Sequence, residues 1–160
     1  MTNTTQEATQ RSARRLNGLR ANCLAVVVML VLELGLGVGV NLYAKIPSAD
    51  SGTSLLPAFD KAVTDGPIVL TLHAILGTLL LVTGISVVVR TSIVRHNALL
   101  ALASIALLAI IGAWQSGARF VSNETTATSM AMTIATGVSL LCYVLILFIV
   151  PSAATTKDAP

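Results

Sequence analysis

Residues 21–43 read ANCLAVVVMLVLELGLGVGVNLY, 23 residues in which Glu33 is the one charged side chain. At about 1.5 Å per residue such a run, coiled as a helix, crosses a hydrocarbon core of about 30 Å. A membrane strand would need only about 10 residues with alternating polarity, and no such alternation is present. The stretch therefore reads as a transmembrane helix, and three further runs over 67–89, 98–120 and 129–150 repeat its length and character.

Composition agrees with that reading. Of the 160 residues, 54% are hydrophobic and 11% charged, against about 25% charged in a soluble domain. A chain of this length has too little polar surface to cover such a core in water. The expected fold is all-α, an antiparallel bundle of four transmembrane helices, with the lipid bilayer as its first partner. A net charge of +3 invites a nucleic-acid reading, but the arginines sit at helix ends and aromatics are 4% of the chain, so no nucleic-acid partner is expected.

Three segments flank or interrupt the spans. Residues 1–20 are polar and read as a mobile basic arm. Residues 44–66 form a long loop, whose stretch from Leu55 to Val63 suits one or two helical turns at the interface. Residues 151–160 form a tail. Asp65-Gly66-Pro67 offers a cap and a first-turn proline, Thr128-Ser129 offers a cap for the last span, and Pro151 ends it. The first apolar run is too long for a cleaved signal peptide, so it is expected to stay as a span.

Lysine and arginine resist translocation and so orient the bundle. Arg11, Arg14, Arg15, Arg20, Arg90, Arg95 and Lys157 fall on one side and Lys45, Lys61 and Arg119 on the other, seven against three. The N and C termini are therefore expected in the cytoplasm, in a multi-pass protein of the plasma membrane.

Ionisable groups inside a span are costly and point inward by default, which makes them functional candidates. Glu33 lies about 15 Å below the outer end of its helix, and Asn41 shares its face. His73 lies about 9 Å into the second span, on a face with Gly77 and Gly84. Gln115 and Arg119 align on the third span, and Ser129, Met132, Thr136, Ser139 and Tyr143 on the fourth. The expected site is a polar pocket of Glu33, Asn41, His73, Gln115 and Arg119 in the outer half, with Glu33 beneath His73. Trp114, Tyr43 and Phe120 are assigned to the interfacial aromatic belt.

Three functions fit. An accessory or structural subunit, packed into a larger membrane complex or a homo-oligomer, needs no chemistry and is the first expectation. A redox module would hold haem b or copper on His73 with Met130 or Met132 as the sulfur ligand, because the other histidine, His96, lies on the opposite side, or would take a His73 from each of two protomers across a dimer axis. A proton-coupled carrier or channel element would use Glu33. No nucleophile with its base, phosphate loop or carboxylate dyad points to an enzyme. Cys23 and Cys142 lack the spacing of a disulfide framework or a metal site.

The run Asn41-Leu42-Tyr43, His73 with Gly77, Gly117 to Phe120, Ser129-Met130-Ala131 and Tyr143 resembles small four-span integral membrane proteins of bacteria, themselves uncharacterised. The resemblance covers all four spans. It implies the architecture and a bacterial cell inner membrane, and carries no function.

Overall fold

The computed structural model describes residues 2–43, 55–94, 96–123 and 126–150. They form five helices, α1 (Thr2–Tyr43), α2 (Leu55–Thr64), α3 (Ile68–Val94), α4 (Asn97–Asn123) and α5 (Thr126–Ile149). All but α2 are long and apolar enough to cross a membrane. With no water in lipid to satisfy the backbone, the helix is the form in which such runs are stable.

The four long helices close into a ring in the order α1, α3, α4, α5, each touching its two neighbours, and α2 packs on α3 and α4. Contacts run in opposite directions along neighbouring helices: Gly18 lies beside Arg90 and Gly39 beside Val69, so α1 and α3 are antiparallel. The exterior is apolar, with Leu108 68% and Phe148 84% exposed. Lipid suits that surface, and the chain reads as a multi-pass membrane protein.

Local signals act close to where the sequence puts them. The Pro67 carbonyl accepts from the N–H groups of Leu70 and Thr71, so the proline stands one step before the helix rather than at its first position. The His96 carbonyl accepts from Leu100 N–H at the start of α4. Leu55–Thr64 is helical, as its pattern suggests. Thr128 and Ser129 lie inside α5, which begins at Thr126. Residues 44–54, Pro151 and the tail lie outside the described residues.

The basic segment differs from expectation. Helix α1 continues through it to Thr2, giving one helix of 42 residues. Extending an existing helix avoids the cost of nucleating a new one, and the exposed Glu7–Arg11 pair, 3.4 Å apart, supports the added turns.

The bundle is packed unevenly along its length. The half toward the N-terminal end of α1, termed the inner half, is a closed core in which Leu19, Cys23, Val26, Val87, Tyr143 and Ile146 are fully buried. Toward the outer end the same four helices carry glycine, alanine and threonine on their inward faces, and a void opens between them.

Candidate functional site

Two helices bring the ionisable residues together. Glu33 on α1 and His73 on α3 meet with Oε1 and Nδ1 3.2 Å apart, their side chains 12% and 14% exposed. The approach is at ion-pair distance, yet off the line of a ring N–H bond, so Nδ1 makes no hydrogen bond; neither does Glu33 Oε2. Gly77 lies against Glu33 and Gly37 against His73, so along the bundle the Glu33 backbone stands about a turn deeper than that of His73, and the side chains bridge the step. Helix α1 runs about a turn past the start of α3, since Gly39 is beside Val69.

Glycines make this meeting possible. A Cβ on Gly77 would lie 3.0 Å from Glu33 Oε1, and one on Gly37 would lie 3.3 Å from His73 Cε1. Each helix thus carries an ionisable residue and, four positions on, the glycine that receives the partner's. The pattern Glu33…Gly37 and His73…Gly77 is visible in the sequence as two i, i+4 pairs.

Beside the pair lies a cavity of about 160 Å³, a size known to admit a benzene-sized guest. Its walls are mostly apolar, and their hydroxyls are already engaged. Thr136 donates to the Met132 carbonyl at 2.9 Å, Ser139 to the Ala135 and Ala106 carbonyls at 2.9 and 3.2 Å, and Thr133 to the Ser129 carbonyl at 3.0 Å. Buried polar groups normally find partners. In this wall the atoms of the Glu33–His73 pair are the ones that have not.

An aromatic contact borders the outer end. Trp114 donates from Nε1 to Thr78 Oγ1 at 3.4 Å and packs on Phe59 of α2, ring centroids 5.9 Å apart. Trp114 therefore belongs to the cavity wall. Phe59 also lines the cavity, and no spacing marks it out in the sequence because its helix is short and separated from the spans. Phe120 lines it too.

Other expected residues divide. Asn41 is exposed but sits on the rim, donating to the Gly37 carbonyl at 3.0 Å and accepting from Ser129 Oγ at 3.4 Å. Gln115 and Arg119 are exposed and do not line the cavity. The inward face of α4 runs through Ala103, Ala106, Ile110, Ala113 and Gly117. Gln115 and Arg119 each stand two residues past an inward position, about 200° around the helix.

The same arithmetic separates the methionines. Met130 is 60% exposed, whereas Met132 lines the cavity with its sulfur 3.5 Å from where a Gly117 Cβ would stand. Only Met132 therefore shares the cavity with His73. An imidazole and a thioether are donors that copper(I) accepts, though among the described residues no three of His, Cys, Asp or Glu converge. A porphyrin exceeds a benzene-sized space, so haem b does not fit unless the helices part.

No protein-family model, curated protein or solved structure matches the chain, so its function is argued from this pair, its glycine cradle and the void beside it.

Proposed function

We propose that the chain is a membrane-embedded binding module that takes a small guest in the outer half of its bundle, with Glu33 and His73 recognising the polar end. The observation that carries this reading is the pair itself. Two ionisable side chains at membrane depth, with Glu33 Oε2 and His73 Nδ1 lacking hydrogen bonds, border a void instead of a packed wall. A purely structural pair would be expected to satisfy its remaining lone pairs.

The closed inner half favours a receptor over a conduit. Below the cavity the bundle is filled by buried side chains, Val26, Val87, Ile146 and Val150 together with Tyr143 and Thr91, close packing that offers no open path for an ion. The proton-coupled reading through Glu33 therefore gains less support than binding. A module that binds without chemistry suits an accessory subunit of a larger membrane complex or a homo-oligomer. The distribution of basic residues supports N and C termini in the cytoplasm, and the resemblance to bacterial four-span proteins suggests the cell inner membrane; the cavity would then open outward.

The chain's single tryptophan, Trp114, lines the cavity and reports on it directly. Phenol titrated into the protein in lipid nanodiscs should change Trp114 emission saturably, and Ala113→Leu, which fills the void, should remove the saturable component while thermal unfolding stays cooperative. A change that rises linearly and equally in both proteins would overturn the binding reading.

A further inference from the structure

On α1, Leu34, Val38 and Asn41 follow at spacings of four and three and share one flank; on α5, Ser129, Thr133 and Thr136 do the same. The flanks meet at the outer end, where Ser129 Oγ donates to Asn41 Oδ1. Below that bond Leu34, Val38 and Thr133 line the cavity while remaining open to the exterior, Leu34 43% and Val38 52% exposed. The α1–α5 seam is the least extensive of the four. Leu34 and Val38 lie nine and five residues before Tyr43, hence about 14 and 8 Å below the outer end of α1. Helix α2, by contrast, rests on α3 and α4 and brings Phe59 over the cavity from that side.

From this geometry we infer that the α1–α5 seam is a doorway from the outer lipid leaflet, and that the guest is an amphiphile with a phenol or hydroquinone head. The ring sits in the cavity and the tail trails through the doorway into lipid. This inference rests on the binding reading above and specifies its guest.

Three features select that chemistry. The cavity has room for a single ring and is bordered by two aromatic side chains, Trp114 and Phe59. Glu33 Oε2 is an acceptor without a donor, so the guest should bring an O–H or N–H group; a phenolic hydroxyl donates and also accepts, and so answers either distribution of the proton between Glu33 and His73. With one proton between them the two residues carry no net charge, and an uncharged head therefore enters at lower desolvation cost than an ammonium.

The test uses the full chain in nanodiscs with para-octylphenol as probe and Trp114 emission as signal. Asn41→Cys and Ser129→Cys are introduced together and joined by a short bifunctional thiol reagent; Cys23 and Cys142 are buried and shielded from it. We expect linking to slow the approach to equilibrium by about tenfold or more at unchanged affinity, and Glu33→Gln to weaken binding about tenfold. Equal rates with and without the link would overturn the doorway. Tighter binding of octylammonium than of octylphenol would overturn the head group. Binding of phenol without octylphenol would overturn this inference alone, whereas saturable binding of neither would remove the binding reading as well.

Discussion

At the scale of the residue, Glu33 and His73 depend on each other. Removing one partner of a buried pair strands the other, at a cost of about 3–5 kcal/mol, while replacing both with apolar groups is often neutral. Glu33→Met or His73→Leu alone should therefore lower the unfolding midpoint markedly, and the double variant should recover most of the loss. Additive losses in thermal unfolding would show that the two do not act as a pair. Both residues were legible in the sequence, because ionisable groups are rare inside spans and each stands out singly. Their contact was not, since it depends on the stagger of α1 against α3.

Among elements, the glycines separate close packing from open surface. A Cβ on Gly84 would stand 3.2 Å from Leu107 Cδ1 and 3.4 Å from Tyr143 Oη, while Gly137 has nothing within 4 Å. Gly84→Leu should destabilise the bundle by about 1–3 kcal/mol through overpacking. Gly137→Ala should be neutral or slightly stabilising, as alanine favours the helix. Denaturation in mixed micelles reads both, and equal effects would contradict the packing described. Helix α2 is held to the bundle partly by its Phe59–Trp114 contact, worth about 0.5–1.5 kcal/mol. Phe59→Ala should shift Trp114 emission to the red as the outer end becomes wetter; an unchanged spectrum would mean that α2 does not cover the indole.

For the whole molecule, the spans were readable because hydrophobic length is a property of the chain in one dimension. The inward face of α4 was not. Gln115 and Arg119 lie eight and four residues before Asn123, about 12 and 6 Å from the helix end, where long polar side chains reach the head-group region without turning inward. Polarity therefore marks the interior near the bilayer middle and loses that meaning toward its edge. Orientation is a property of the whole chain as well. Replacing Arg11, Arg14, Arg15 and Arg20 with glutamine should invert part of the population, read by protease access to a tag at either terminus; a single unchanged orientation would show that these arginines do not decide it.

The uneven packing along the bundle has a mechanical side. Close-packed protein interiors barely compress, whereas a void gives way, and pressure acts on a protein in proportion to the volume it can eliminate. With about 160 Å³ confined to the outer half, the molecule is soft at one face of the bilayer and stiff at the other. A guest that filled the void would harden the soft end, so occupancy would alter how the bundle yields to squeezing by the surrounding lipid.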